Sequence, residues 1–303
     1  MQFKRIKKNV NGVLLLDKPL GFSSNQALQK VKWLYSAAKA GHTGTLDPLA
    51  TGLLPICLGE ATKFAQYVTD ADKTYFATIK LGVTTNTGDA EGEILSAQPV
   101  NITQAQFEQA SQQFVGEISQ IPPMYSALKH EGKPLYTYAR EGVDIARQPR
   151  LITIKHIELS TFLDDIAQIT VICSKGTYIR TLAEDIGKNL GCGAHLTGLR
   201  RTETAGYLLS QAISIEQLEA MDIEARTALL LPVDSAIESL AKVILNKDAA
   251  YFLMQGQAVW IAGEIANGDC RLYDENNQFL GLGCLQEDGK IAPKRLIVNK
   301  SIN

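Results

Sequence analysis

Several segments have the alternation of apolar and polar residues that is typical of strands. Residues 11–24 form an apolar run that ends in polar residues, which predicts a strand followed by a turn. Residues 73–95 alternate and carry Gly and Asn, and this predicts a strand, a loop and a second strand. Residues 151–163 and 166–182 are also rich in β-forming residues.

Helical spacing alternates with these strands. The segments with this spacing are residues 24–35, 102–118, 179–191 and 214–230. We expect Ser24 or Asn25 to cap the first helix, Thr103 to cap the second, and Gly191 to end the third.

Residues 120–142 differ from their surroundings because they combine three prolines with tyrosines and basic residues. We expect a long exposed loop followed by a short helix, and long loops in compact domains are often functional.

Beyond about residue 242 the pattern changes to short strands and Gly-rich turns, in the segments 256–263, 268–285 and 290–299. This predicts a small β-rich C-terminal domain. The expected fold class is α+β with an all-β appendage.

The composition is that of a soluble globular protein, with 45% hydrophobic and 20% charged residues among 303. No window approaches the roughly 18–20 apolar residues of a membrane helix, and no long apolar run follows the basic N-terminus. We therefore expect a cytoplasmic protein without a membrane partner. The five cysteines have no C-x-x-C spacing, so we expect free thiols and neither disulfides nor a zinc site.

The net charge of −2 conceals an uneven distribution. Residues 1–63 hold nine Lys/Arg against three Asp/Glu, and residues 124–201 hold eleven against eight. If these basic segments meet in space, they form a positive face for a phosphate backbone. The alternative is that the charges simply mix on the surface.

One carboxylate, Asp47, lies in the small-residue segment GHTGTLDPLATGLLPI at residues 41–56. Pro48 favours an extended backbone at Asp47, and the glycines of the segment allow tight turns and close approach of a ligand. In apolar surroundings the pKa of a carboxylate rises unless a cation holds it ionised. A catalytic acid and a simple turn or helix cap both explain this residue. Phosphate-loop and nucleophile-elbow patterns are absent. His42 and Asp47 without a third ligand are a weak metal signal, and no second acid in a similar context supports a two-carboxylate glycosidase.

Five blocks in a fixed order carry a resemblance. They are GVLLLDKPLGFSS, GHTGTLDPLATGLLPICLGEATKF, DKTYFATIKLG, PPMYSALKHEGKPLYTYAREG and CSKGTYIRTLAEDIG. From about residue 10 to residue 235 the chain resembles the TruB family of pseudouridine synthases, and the C-terminal segment looks like a PUA-type RNA-binding domain.

The resemblance implies a catalytic domain at residues 1–240, with a central mixed, mainly antiparallel β-sheet flanked by helices. An RNA-gripping insertion would occupy about residues 122–150. A β-barrel-like PUA domain would follow at residues 241–303.

The implied activity is isomerisation of uridine-55 in the T loop of tRNA to pseudouridine. This reaction exchanges no electrons and adds no water, so we expect neither a redox cofactor nor a metal. Asp47 would be the essential residue, and Arg180 would pair with it and keep it ionised. Tyr75 would stack on the flipped base and take part in proton transfer. Whether Asp47 acts on C1′, on C6 or on a ribose proton stays open.

The resemblance also assigns residues around the substrate. Leu199 and Tyr178 would line the uracil pocket, and His42 would enter the space that the flipped base leaves. Lys18 and Pro19 would support the catalytic loop by packing and hydrogen bonding.

Basic residues would hold the RNA. Those of the insertion are Lys129, His130, Lys133, Arg140 and Arg147. Arg200 and Arg201 are candidate phosphate contacts.

The expected partner is tRNA, held by its T stem-loop and at its acceptor end by the C-terminal domain. The C-terminal segment lacks a long lysine-rich tail, which favours a stand-alone enzyme over a guide-RNA subunit, and nothing demands an oligomer, so we expect a monomer. A non-catalytic tRNA-binding or tRNA-folding module is the alternative, although it would have no reason to keep Asp47, Tyr75 and Arg180 together.

Overall fold

A computed structural model describes residues 6–261 and 268–298. The strands of this part of the chain are β1 (Gly12–Lys18), β2 (Ala40–His42), β3 (Ala50–Leu58), β4 (Lys73–Leu81), β5 (Val83–Thr85), β6 (Ile94–Ala97), β7 (Gly116–Gln120), β8 (Lys129–His130), β9 (Lys133–Pro134), β10 (Arg150–Leu163), β11 (Ile166–Cys173), β12 (Ala194–Thr204), β13 (Tyr207–Leu208), β14 (Ala241–Ile244), β15 (Val259–Trp260), β16 (Asp269–Tyr273), β17 (Phe279–Leu285) and β18 (Lys290–Leu296). The α-helices are α1 (Ser24–Leu34), α2 (Ala65–Asp70), α3 (Gln104–Gln112), α4 (Leu135–Arg140), α5 (Ile179–Asn189), α6 (Ile215–Ala220), α7 (Ile223–Ala228) and α8 (Lys247–Met254). Short 3-10 helices cover Gly59–Lys63, Leu209–Gln211 and Val233–Ile237.

The central sheet has the strand order β1-β3-β12-β4-β11-β10-β7, with β2 paired to β3 and β13 to β12. Its pairs are antiparallel except β12 with β3, which is parallel. The predicted mixed, mainly antiparallel sheet is therefore confirmed. The order places β12 directly between β3 and β4.

Both faces of this sheet are covered, because successive side chains of a strand point to opposite sides. On β1, Leu14 and Leu16 enter the core beneath α1 and α5, whereas Val13 and Leu15 enter a second core. The second core also holds Phe279 of β17, whose ring lies 5.6 Å from that of Phe64. The C-terminal sheet thus packs against the outer face of the central sheet.

The first helix begins one residue earlier than predicted. Ser23, and neither Ser24 nor Asn25, is the N-cap: its hydroxyl accepts from the backbone N–H of Gln26 at 3.2 Å in a capping box. Ser24 is buried instead, and its hydroxyl bonds to both backbone groups of Leu46 at 2.7 and 3.0 Å. The Ser24 side chain, which the local pattern assigned to the N-cap, therefore makes a tertiary contact with Leu46 instead.

Two other predicted helix boundaries are confirmed. The hydroxyl of Thr103 caps α3 by accepting from the backbone N–H of Gln106. Gly191, with φ of 76°, follows the last turn of α5.

The prediction of one helix over residues 214–230 is wrong. The segment forms two helices, α6 and α7, because the backbone of Met221 is extended. Asp222 then caps α7 by accepting from Ala225 N–H at 2.8 Å. An Asp side chain favours a helix N-terminus over a helix interior, because it accepts a hydrogen bond from a backbone N–H of the first turn. This preference stabilises the interruption between α6 and α7.

The predicted loop at residues 120–142 holds the small β8–β9 hairpin and then the expected short helix, α4. Residues 1–5 of the basic N-terminus lie outside the described residues. Among the described helices, none combines the length and apolarity needed to cross a membrane.

The C-terminal sheet has the order β14-β16-β17-β18-β15 and curls into a half-barrel. The expectation of an all-β segment missed α8, which Asn246 caps by accepting from Ala249 N–H at 2.9 Å. Of the strands predicted there, residues 262–263 and 299 lie outside the described residues.

Candidate active site

Hydrogen bonds to three other residues hold the backbone of the loop that carries Asp47, between β2 and β3. The Ser24 hydroxyl binds Leu46, and Gly21 N–H donates to Pro48 O at 2.9 Å. Thr43 N–H donates across the loop to Pro55 O at 3.2 Å. A carboxylate on a loop fixed in this way keeps its position without help from a ligand.

Gly44 is required in this loop. Its φ of +87° suits glycine, and a Cβ there would lie 3.2 Å from Nη1 of Arg201. The close approach lets the side chain of Arg201 pass directly beneath the loop that carries Asp47.

Arg180, in the first turn of α5, contacts Asp47. Its Nη2 lies 2.9 Å from Oδ2 of Asp47, so the predicted contact is present. The guanidinium also donates to the carbonyls of Thr87 at 2.9 Å and Tyr125 at 2.7 Å. Arg180 is buried, and these fixed acceptors determine the direction in which it presents its charge.

A second carboxylate, Asp89, shares this arginine and was not predicted from the sequence. Its side chain is buried, with Oδ2 at 3.4 Å from Nη1 of Arg180. The hydroxyl of Thr87 and the N–H of Glu91 donate to its Oδ1 at 2.6 and 3.1 Å. The segment TNTGDAEG resembles an ordinary polar turn, and no local signal separates this aspartate from a turn residue.

The electrostatics of the pair differ from the simple expectation that Arg180 holds Asp47 ionised. Burial raises the pKa of Asp47 above its usual value; Arg180 and Lys18 oppose this, and Asp89 adds to it. Two carboxylates share one guanidinium, so Arg180 does not fully compensate Asp47. A carboxylate with a raised pKa is a stronger base and nucleophile than an exposed aspartate.

Asp47 lies in the wall of a cavity of about 550 Å³. Of the residues predicted for the site, Asp47, Tyr75, Tyr178, Arg180, Leu199 and Arg201 line it together. They come from four separate parts of the chain, and the central sheet brings them together.

Sheet register places two of these residues. Leu199 of β12 lies between Ala50 of β3 and Ala77 of β4, and Arg201 lies opposite Tyr75. Tyr75 is buried, and this burial raises the pKa of its hydroxyl, so the phenol stays protonated.

Tyr178 precedes α5 and is held through its backbone. The side-chain amide of Gln120 accepts from its N–H at 2.8 Å and donates to its carbonyl at 3.1 Å. The ring of Tyr178 therefore projects into the cavity from a fixed backbone.

Lys18 and Pro19 support the site from within. Lys18 is fully buried and donates to the carbonyls of Pro19 (3.0 Å) and Phe22. Burial lowers the pKa of Lys18 to about 8. The ammonium thus holds the turn after β1, and Gly21 of this turn donates to Pro48 in the loop that carries Asp47.

His42, at the end of β2, is not among the residues that line the cavity. Its Nδ1 is buried without a hydrogen-bond partner among the described residues. Burial, followed by the charge of Arg201, lowers the pKa of His42, which favours the neutral imidazole.

The neighbouring arginines of β12 have different environments. Arg200 is half-exposed and binds Asp17 at 2.6 Å and the Thr51 hydroxyl at 3.2 Å. Arg201 is only 1% exposed and donates to the carbonyls of Leu53 at 2.7 Å and Gly44 at 3.3 Å. Arg201 therefore lies inside the pocket wall and not on the outer surface, and its role as a phosphate contact stays a prediction.

Comparisons with known proteins match the chain along almost its whole length. Residues 32–179 match the family model "TruB family pseudouridylate synthase (N terminal domain)", residues 180–238 match "tRNA pseudouridylate synthase B C-terminal domain", and residues 241–297 match "Pseudouridine synthase II TruB, C-terminal". A protein of Methylobacillus flagellatus named tRNA pseudouridine synthase B is 61% identical over 98% of both chains. The chain belongs to the TruB family of pseudouridine synthases.

Other members of the family are similar over the same length. Proteins named tRNA pseudouridine synthase B from Stutzerimonas stutzeri and Chromobacterium violaceum are 53% and 51% identical, each over at least 97% of both chains. As a TruB family member, the chain is an isomerase of the pseudouridine synthase class.

Two solved structures share the TruB fold with this chain. "Crystal Structure of a Cbf5-Nop10-Gar1 Complex" is 27% identical with a TM-score of 0.72, covering 95% of this chain and 84% of that chain. "Structure of H/ACA RNP bound to a substrate RNA containing 2'-deoxyuridine" is 24% identical with a TM-score of 0.72, covering 96% and 86%.

In this TruB family member, the basic residues of the insertion lie mostly on its surface, with tyrosines among them. Lys133 lies 4.6 Å from the ring centre of Tyr138 and forms an ion pair with Glu141 at 2.8 Å. Arg140 lies 5.5 Å from the ring centre of Tyr136.

The other predicted basic residues of the insertion are Lys129, His130 and Arg147. Lys129 and His130 are exposed in β8, whereas Arg147 is partly buried and forms an ion pair with Asp144 at 3.2 Å. None of the five basic residues lines the cavity.

Within residues 6–261 and 268–298, no group of three or more His, Cys, Asp or Glu side chains is arranged to hold a metal ion.

Proposed function

We propose that this protein isomerises uridine-55 in the T loop of tRNA to pseudouridine, with Asp47 as the essential residue. The observation that carries the proposal is the Asp47 carboxylate, held by Arg180 at 2.9 Å in a cavity that Tyr75, Tyr178 and Leu199 also line. The names of the full-length relatives support tRNA as the substrate.

The reaction breaks the bond from C1′ to N1 of the base and joins C1′ to C5. The hydrogen on C5 leaves as a proton and N1 gains one, so atoms and electrons balance without a redox partner. Asp47 would engage the nucleotide at C1′, at C6 or at the proton on C2′, and its raised pKa supports each of these roles.

The cavity supports retention of the detached uracil. The aromatic rings of Tyr75 and Tyr178 and the side chain of Leu199 offer apolar surface to a base, while Asp47 and Arg180 meet its sugar side. A base inside a folded T loop is inaccessible, so the uridine would be flipped into the cavity. His42, Lys18 and Pro19 would act around this step, His42 in the vacated space and the other two as supports of the loop.

We propose further that residues 1–240 form the catalytic domain, with an RNA-gripping insertion at about residues 122–150. Residues 241–303 would be a PUA-like domain that contacts the acceptor end. Arg200 and the basic residues of the insertion would contact RNA phosphates. The protein would act in the cytoplasm as a monomer without a guide RNA.

Tritium release from tRNA labelled at C5 of uridine tests the proposal, because bond formation at C5 expels this hydrogen. We expect release with the wild-type protein, none with Asp47→Asn, and none from tRNA in which residue 55 is cytidine. The binding affinity of Asp47→Asn for tRNA should stay within about threefold of wild type, since a neutral isostere keeps the shape of the pocket.

Two results would overturn the proposal. Release by Asp47→Asn would remove the essential role of this residue. Tight binding of tRNA without release by the wild type would establish the binding-only alternative.

A further inference from the structure

Five cations line the cavity: Lys73, Arg150, Lys175, Arg180 and Arg201. Three of them are buried and already occupied by protein groups. Lys73 donates to carbonyls at the end of α2, Arg201 donates to carbonyls of the catalytic loop and β3, and Arg180 contacts the two carboxylates. A ligand at the cavity mouth therefore finds its cations in Arg150 and Lys175.

Arg150 is available for a ligand. It is exposed at the start of β10, opposite Gln120 in β7, and its side chain forms no hydrogen bond or ion pair with any described residue. Arg150 and Tyr178 both line the cavity, and the positive charge of Arg150 acts to lower the pKa of the Tyr178 hydroxyl.

Lys175 lines the same cavity. It forms an ion pair with Asp70 at 2.8 Å, and the two side chains are 60% and 39% exposed. An exposed pair of this kind contributes little, so a phosphate displaces the carboxylate at small cost. Leu151, next to Arg150, also lines the cavity and is 71% exposed, which gives the mouth an apolar surface for a nucleoside.

The charges already inside the site favour a further cation at the cavity mouth. Asp47 and Asp89 both contact Arg180, and the other two buried cations, Lys73 and Arg201, are bound to backbone carbonyls. A uridine within an RNA strand has a phosphodiester on each side, and both approach the site together with the base. A cation at the mouth offsets the repulsion between phosphate and carboxylate.

We propose that Arg150, with Lys175 beside it, binds a phosphodiester that flanks the uridine in the cavity. This inference rests on the proposed function and adds a subsite that positions the strand by its backbone. Arg150 suits this role because a guanidinium binds phosphate with two parallel hydrogen bonds.

The test combines Arg150→Gln with RNA in which one flanking phosphodiester is replaced by an uncharged methylphosphonate. A T stem-loop RNA is made in three forms: unmodified, modified 5′ of the target uridine, and modified 3′ of it. We expect Arg150→Gln to weaken binding of unmodified RNA about tenfold, as for a charge-assisted contact. On one of the modified RNAs the same substitution should change the affinity less than twofold.

Salt dependence gives a second measurement on the same variants. The slope of log affinity against log salt should become shallower by about 0.7 to 0.9 for Arg150→Gln, the value for one lost phosphate contact. Arg150→Lys should recover part of the affinity. Lys155→Gln is the matched control, because Lys155 is exposed on the same strand, forms an ion pair with Asp72 and does not line the cavity.

Equal losses for Arg150→Gln on all three RNAs would overturn the phosphate assignment, as would no loss at all. In either case pseudouridine formation by the wild type would leave the proposed function intact. Absence of product from the wild type would instead be a failure of the proposed function.

Discussion

Replacement of Arg180 by lysine tests whether the geometry of the guanidinium, as distinct from its charge, makes the site competent. Arg180 contacts Asp47, Asp89 and the carbonyls of Thr87 and Tyr125 at the same time. A lysine keeps the positive charge but presents it from one nitrogen, which cannot reach four acceptors that surround a planar fork.

The magnitude follows from the acceptors left without a donor. If lysine stays with the carboxylates, the two carbonyls lose their donors, and each buried unsatisfied acceptor costs about 1–3 kcal/mol. We therefore expect Arg180→Lys to lower the free energy of unfolding by about 2–6 kcal/mol. A shift of Asp47 by about 1 Å is expected to slow the reaction by about 10²-fold.

The assay is single-turnover tritium release from C5-labelled tRNA at saturating enzyme, together with filter binding and urea denaturation. Affinity for tRNA should change less than threefold, because residue 180 is buried and lysine keeps its positive charge. Arg226→Lys is the matched control: Arg226 also donates to three carbonyls, those of Leu218, Leu34 and Glu219, but it does not line the cavity. The Arg226→Lys variant should be less stable than the wild type and should keep the wild-type rate of tritium release.

Two outcomes would refute this reasoning. A rate for Arg180→Lys within threefold of wild type would mean that charge alone suffices. An equal loss of rate in Arg226→Lys would mean that reduced stability, and not the site, limits the reaction.

Three further predictions concern the surroundings of the site. Burial raises the pKa of Glu184 from 4.5 to about 7. The wild type therefore loses stability relative to Glu184→Gln as the pH rises through this interval. The gain in Tm of the variant over the wild type should be larger at pH 8 than at pH 5. Gly44→Ala should cost about 1–2 kcal/mol from its positive φ, and it should also slow tritium release because the new Cβ presses on Arg201. Asp89→Asn removes a charge that raises the pKa of Asp47, so the acid limb of the single-turnover pH–rate profile should move to lower pH.

Each of these predictions has a control or a contradicting result. An equal gain in Tm at both pH values would contradict the account of Glu184. Gly206→Ala has a similar positive φ and no neighbour within 4 Å of the new Cβ, so it should lose stability alone. If the acid limb of the pH–rate profile of Asp89→Asn moves to higher pH, then the orientation of Arg180, and not the charge of Asp89, sets the pKa of Asp47.

Features that depend on a few neighbouring residues were predictable from the sequence. The N-cap at Thr103, the end of α5 before Gly191 and the strict alternation of β4 all follow from local spacing and backbone preference. The first helix shows the limit: Ser23 and Ser24 are equally good caps by type, and the contact of Ser24 with Leu46 selects Ser23.

Motifs in a fixed order identified the candidate site residues Asp47, Tyr75 and Arg180, although no local pattern says that they meet. They meet because β12 lies between β3 and β4, and because α5 follows β11 after the short connection at residues 174–178. Asp89 illustrates what motifs omit. Its importance comes from burial against Arg180, and burial of a turn residue is a property of the folded chain.

Arg200 and Arg201 show most clearly what local sequence determines and what tertiary pairing decides. Local spacing predicted no strand over residues 194–204, but once β12 forms, its two consecutive arginines must point to opposite sides of the sheet, because the side-chain period is two residues. Which of them points inward is decided by the register of β12 with β3 and β4, which places Arg201 opposite Tyr75 and Gly52. A shift of one residue would exchange their environments without any change in local propensity. The sequence alone determined that the two arginines are neighbours and would alternate in a strand. Tertiary pairing decided that residues 194–204 form β12 and that Arg201 lies beneath the loop that carries Asp47.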